Sequence, residues 1–181
     1  MSGFLITTII WREALNGKFS ISRFYERRVR RIMPALLVVL IAVTACALAL
    51  LLPIDLIGYA KSVFASLAFA ANIYFWRDTD YFSQQAQQKP LLHVWSLGIE
   101  EQFYIVFPLL VILCIRWRRS ALLPLASALV LLSLLANILC LQHGAEWPAF
   151  YLLPMRAWEL GTGALLALAP FARAAAALWS L

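Results

Sequence analysis

Charge is scarce in this chain, and acid is scarcest. Only 13% of its 181 residues are charged, with nine Asp and Glu against fifteen Lys and Arg, and histidine occurs twice. Soluble domains are about 45–50% apolar, so a chain that is 64% hydrophobic falls outside that class. Cysteine is also sparse. Cys46, Cys114 and Cys140 each lie within an apolar run, match no metal spacing and form no disulfide framework, so they read as small buried hydrophobes. His93 and His143 are too far apart to suggest a local metal site. The sequence has no internal repeat, no Walker loop, no GxGxxG and no GxSxG elbow. No secretory signal with a cleavable A-x-A site is expected at the start. The net charge of +6 argues little for nucleic acid, because the cations cluster between apolar runs as the positive-inside rule describes.

Long apolar runs fill the space left by these absences. They predict an all-α fold: a polytopic transmembrane helical bundle with a cytoplasmic basic helix and a re-entrant or interfacial helix, in one partial domain over 1–181. Residues 1–11 are apolar but about half the length of a span, so they are either interfacial or the tail of one. Residues 12–31 carry Arg12, Lys18, Arg23, Arg27, Arg28, Arg30 and Arg31 against Glu13 and Glu26. Ser20 or Ser22 is placed to cap a helix reaching Met33, where Pro34 ends or restarts it. This basic segment has two readings: an anchor that sets topology and meets anionic head groups, or a phosphate site using the planar arginine fork.

Residues 34–52 read as a span with Pro34 in its first turn. Residues 56–76 are apolar but interrupted by Lys61 and Asn72. If they crossed fully, Arg116, Arg118 and Arg119 would lie on the outer face, so charge counting favours a re-entrant or interfacial segment buried against protein. A glutamine-rich polar loop follows, and Pro90 is placed to open the next helix. Further spans are expected at 94–115, 121–141 and 151–169. In the last, Arg156 and Glu159 at i, i+3 are close enough to pair, and Gly161, Gly163 and Ala167 would let a neighbouring helix approach. Most cations then face the cytoplasm, and Trp11, Trp76, Trp117 and Trp147 fall at interfaces.

The chemistry concentrates in residues 93–115, HVWSLGIEEQFYIVFPLLVILCI. As one helix, this stretch directs His93, Ser96 and Glu100 roughly the same way, with Glu101 about 100° further round. An ionised carboxylate at the bilayer centre costs about 2.5–3.5 kcal/mol on insertion scales, so two here mark a functional position. A Ser nucleophile is disfavoured, since three side chains on one helix face do not readily form the required relay. Carboxylates beside a histidine suit proton handling or the orienting of a substrate hydroxyl. The alternative is a polar network locking helices together, with Glu100 or Glu101 paired to an arginine. Arg156 with Glu159 reads first as a structural pair.

The combination of FYERRVRRIMP at 24–34 with HVWSLGIEEQFYIVFPLL at 93–110 resembles the bacterial membrane acyltransferase 3 family, of the O-acetyltransferase type that modifies surface glycans. SGFLIT near the start and RAWELGTGALLAL at 156–168 are similar to that family in the same order. The resemblance implies transfer of an acyl group from acetyl-CoA, as a co-substrate rather than a bound cofactor, to a glycan hydroxyl. By match it assigns Arg27, Arg28 and Arg31 to the acyl-CoA side and His93, Glu100 and Glu101 to the catalytic stretch. Trp95, Ser96, Arg156 and Glu159 are supporting residues, and no metal ligand is implied. The expected partners are membrane lipid, the acyl-CoA donor and the glycan acceptor, with no nucleic acid, in a bacterial inner membrane. The family also has an earlier helix bearing an arginine–histidine pair and further C-terminal parts, sometimes an SGNH-type domain. The chain therefore reads as a fragment or as one with a late start. The rival readings are a non-enzymatic transport or scaffold module and an inactive remnant.

Overall fold

Backbone N–H and C=O groups in hydrocarbon must find partners inside the chain, and a sequence this apolar meets that demand with helices. The structure is a computed structural model that describes residues 2–17, 19–78, 89–117 and 121–169. Lys18, most of the glutamine-rich loop, Arg118 and Arg119 lie outside the described residues. Every described element is a helix: α1 (Ser2–Leu15), α2 (Ile21–Leu50), α3 (Pro53–Leu67), α4 (Ala71–Arg77), a 3-10 turn (Leu92–Val94), α5 (Trp95–Trp117), α6 (Leu122–Gln142), α7 (Glu146–Tyr151) and α8 (Leu153–Leu168). Among the described residues, three stretches are long and apolar enough to cross a membrane: Ile21–Leu50, Leu92–Arg116 and Leu122–Gln142. The fold class is all-α, that of a polytopic helical membrane protein. The chain forms two units, one of residues 20–99 and one of residues 1–19 with 100–181.

In the 20–99 unit, α2 runs unbroken through Pro34. Sequence reasoning stops or restarts a helix there, because proline lacks the N–H that would bond the Arg30 carbonyl. A membrane helix absorbs one such loss, and the helix continues for sixteen further residues to Leu50. Ser20 occupies the N-cap with extended backbone, but its hydroxyl bonds the Ser22 hydroxyl at 3.0 Å and not a helix N–H. Leu36, Leu40 and Ala47 form the buried stripe of α2, while Val38, Ile41 and Leu48 are each about two-thirds exposed. Outward apolar faces of this kind are stable only against lipid or protein. Thr44 on α2 joins Tyr59 on α3 through a 2.7 Å hydroxyl pair.

Residues expected as one re-entrant segment form two helices. α3 ends on a turn in which Ala70 N–H bonds the Ala65 carbonyl at 2.8 Å and Phe69 takes φ +53°. Glycine commonly fills this left-handed position, as Gly144 (φ +71°) does after α6, so a phenylalanine here holds backbone strain. Neither α3 nor α4 is long enough to cross.

The other unit is organised around α8, which packs against α1, α6 and α7. Small residues make this possible. A Cβ on Gly163 would lie 3.0 Å from the Phe4 nitrogen on α1, one on Gly161 would lie 2.5 Å from Val130 Cγ2 on α6, and Ala164 is fully buried. Ser133 on α6 inserts into the first turns of α8, donating to the Pro154 carbonyl at 2.7 Å and accepting from the Trp158 N–H at 3.0 Å. An uninterrupted α-helix would join those two backbone groups directly. Asn137, also on α6, donates to the Ala149 carbonyl at 3.2 Å. Phe103 and Phe107 of α5 stack at 4.9 Å beside an apolar cavity of about 530 Å³ bounded by α5, α6 and α8.

Candidate functional site

The arginines stand on the N-terminal third of α2, ahead of Pro34 and clear of its apolar run. Arg27 and Arg31 are four residues apart, so they share a face and are exposed; Arg28 lies about 100° round and is half-buried. Arg30 is drawn off to Glu26, 2.8 Å away on the exposed side. Phe24 is buried and meets Tyr25 edge to face at 5.3 Å, which seats this end of the helix.

His93 does not begin the α-helix. It lies in the 3-10 turn Leu92–Val94, is exposed, and its carbonyl accepts a 3.4 Å bond from the Ser96 hydroxyl. Three residues per turn replace 3.6 at that point, a geometry in which side chains at i and i+3 eclipse, and Glu100 follows along α5. Trp95 opens α5 half-buried and Ser96 is exposed. Gly98 is required where it is: a Cβ there would lie 2.8 Å from Asn72 Oδ1 and 3.1 Å from the Phe69 carbonyl oxygen. Asn72 is fully buried. The strained Phe69 turn thus fixes the start of α5. Gly98→Ala is expected to cost about 1–3 kcal/mol by overpacking, read as a lower unfolding temperature of the purified chain.

Further along α5, Glu100 and Glu101 are half-buried. The Tyr104 hydroxyl, on a side chain only 1% exposed, donates to Glu100 Oε2 at 3.2 Å. Sequence reasoning missed Tyr104. The signal was the i, i+4 spacing of Glu100 and Tyr104, hidden because tyrosine in an apolar run reads as core. Ser133 was missed for a related reason, since its partners Pro154 and Trp158 come from another helix.

On α8, Arg156 forks onto Glu159 with contacts of 3.0 Å (Nε to Oε1) and 2.7 Å (Nη2 to Oε2). The same guanidinium lies 5.5 Å from the centre of the Phe150 ring. This pair is partly exposed and holds the start of α8 to α7. Among the described residues, no group of three or more His, Cys, Asp or Glu could hold a metal ion.

Comparison with known proteins locates this arrangement. A family model described as an acyltransferase domain, Acyl_transf_3, matches residues 1–180. A Haemophilus influenzae protein named only as uncharacterized is 35% identical over 174 residues, covering 93% of this chain and 71% of that protein. The O-acetyltransferase OatA of Staphylococcus aureus is 36% identical over 113 residues, covering 61% of this chain and 18% of that one. The chain therefore spans under a fifth of the length of that longer relative. No solved structure matches. With the match covering residues 1–180 of an apolar chain whose described elements are all helices, the protein belongs to the Acyl_transf_3 family and is an acyltransferase-domain protein of the membrane.

Proposed function

We propose that this chain is the membrane part of an O-acyltransferase that takes an acyl group, acetyl in the simplest case, from acyl-CoA and passes it to a hydroxyl of a surface or lipid-linked glycan. The observation that carries the reading is the arginine array on α2, placed ahead of the apolar length of the same helix. From Arg31 to Leu50 the helix rises about 28 Å, close to the hydrocarbon thickness, so the array sits at one membrane face. Arg27, Arg28 and Arg31 would hold the phosphates of the donor, for which a fixed guanidinium fork is well shaped. By the positive-inside rule that face is the cytoplasmic side of a bacterial inner membrane, where acyl-CoA is available, and the chain crosses several times.

In the transfer, the acceptor oxygen attacks the thioester carbonyl, the C–O bond forms, the C–S bond breaks, and CoA leaves as the thiolate. The acceptor proton goes to His93 or Glu100, with Glu101 beside them in the same stretch. Glu100 is suited to this because Tyr104 holds one carboxylate oxygen and so fixes its rotamer. Trp95 and Ser96 open the helix that carries this stretch, and Arg156 with Glu159 steadies the start of α8.

Radiolabelled acetyl-CoA supplied to membranes containing the chain tests the donor assignment. Arg27→Ala with Arg28→Ala should raise the KM for acetyl-CoA about tenfold, as loss of one or two charge-assisted contacts would. Transfer unchanged at limiting donor would remove the CoA role from these residues.

A further inference from the structure

The unit that carries Glu100 also holds a cavity that the proposed transfer does not use. It measures about 530 Å³ and lies between α5, α6 and α8. Among the described residues of its wall, Ser133 alone carries a polar side chain. That hydroxyl is already engaged, with the Pro154 carbonyl and the Trp158 N–H. An apolar cavity of this kind stays dry, and a polar ligand would lose its hydrogen bonds there. Hydrocarbon suits it. The volume lies within the range of about 300–1,000 Å³ found for ligand pockets.

Position narrows the source of the hydrocarbon. Phe103, Phe107 and Leu110 form part of the α5 wall and follow Glu100 at i+3, i+7 and i+10, close to one face of the helix. The wall therefore begins about one turn beyond a group proposed to take the acceptor proton. It runs about 10 Å further, toward the middle of a stretch long enough to span the membrane. Phe103 and Phe107 are buried and stacked, which gives this wall a flat, fixed surface. Small residues on the facing helices keep the space open: Ala126 and Ala136 on α6, Ala157 and Gly161 on α8. Val106, Leu129 and Leu132 line the same cavity and are exposed, so its mouth opens sideways. A chain attached to a carbonyl held at Glu100 would extend into this space.

We propose that the cavity receives the alkyl chain of the transferred acyl group, so that the protein favours acyl donors longer than acetyl. The inference rests on the acyltransferase reading and names the class of donor. An extended chain advances about 1.2 Å per bond, so the length of the wall suits about eight carbons. Each methylene taken from water into the cavity should tighten donor binding about fourfold until the space is filled.

Displacement of radiolabelled acetyl-CoA from the chain in phospholipid nanodiscs tests this, with partition into empty nanodiscs subtracted. The competitors are unlabelled butyryl-, hexanoyl-, octanoyl- and decanoyl-CoA. Affinity should rise about fourfold per methylene to octanoyl and level off beyond it. Ala136→Phe on α6 and Ala157→Phe on α8 each place a ring in the cavity, and each should flatten that rise. If one of them fails to fold, the other still reports. Octanoyl-CoA with a terminal diazirine should label residues 103–110 or 126–136 of the unsubstituted chain, which needs no variant at all. A phospholipid with the same diazirine in its tail separates the two sources of hydrocarbon. If it labels those residues and octanoyl-CoA does not suppress the labelling, a lipid tail fills the cavity and the proposal is overturned. A rise in affinity that persists in both variants overturns it too. Acetyl-CoA binding with no dependence on chain length removes the acyl cavity and leaves the acyltransferase reading standing. Failure of every acyl-CoA to bind removes the donor reading, and this inference with it.

Discussion

Glu100→Gln lowers acyl transfer by about 10²–10⁴-fold, the range a positioned general base contributes, while the folded yield stays that of the unsubstituted chain. The reasoning starts from what the substitution keeps. The glutamine amide oxygen still accepts the Tyr104 hydroxyl that now lies 3.2 Å from Glu100 Oε2, so the link between successive turns of α5 persists. Only the basicity is lost. Tyr104→Phe separates positioning from chemistry. It removes one hydrogen bond, worth about 1 kcal/mol, so transfer should fall about fivefold with the carboxylate still present. Rates of labelled acetyl transfer in membranes, compared at equal amounts of folded protein by size-exclusion fluorescence, measure both. If Glu100→Gln were well folded and fully active, the proton role would pass from Glu100. If it failed to fold, the carboxylate would be a helix lock, as the rival reading of the sequence holds.

Two glycine-to-alanine changes should move stability in opposite directions. In α1, a Cβ on Gly3 would overlap the Leu160 carbonyl oxygen of α8. That neighbour is backbone, so no rotamer change relieves it and the helices must separate. The buried Thr7 hydroxyl, bonded to the Gly3 carbonyl at 2.7 Å, moves with them. Gly3→Ala is expected to cost about 2–3 kcal/mol through overpacking and lost contact with α8. In α3, the Gly58 position is open apart from Tyr74 Oη at 3.9 Å, so Gly58→Ala should gain about 0.5–1 kcal/mol of helix propensity. Thermal unfolding of the two variants in the same detergent checks the contrast. A stable Gly3→Ala chain would mean that α1 does not sit on α8 as closely as described.

Local properties of the chain were legible before any coordinates. Hydropathy alone located the apolar runs, because a helix in lipid needs only length and few charges. The Arg156–Glu159 pair was also legible, since i, i+3 spacing is a property of one helix, and so was the close approach of α8 through Gly161 and Gly163. Pro34 was misjudged as an end or a restart because proline rules come from water, where an unpaired carbonyl is easily solvated and the chain is free to leave the helix. Here the apolar residues on both sides favour continuing.

The amino-acid sequence by itself determined that this protein is a helical membrane acyltransferase-domain chain, and which few polar residues its hydrocarbon-facing runs tolerate. Only the packed helices show what those residues touch: Tyr104 on Glu100 along α5, Ser133 in the ladder of α8, and Asn72 against Gly98. Hydropathy and spacing are one-dimensional and report the partition of each segment between water and lipid. Partners drawn from other helices depend on crossing geometry and close packing, which are set by the shapes of all the side chains at once.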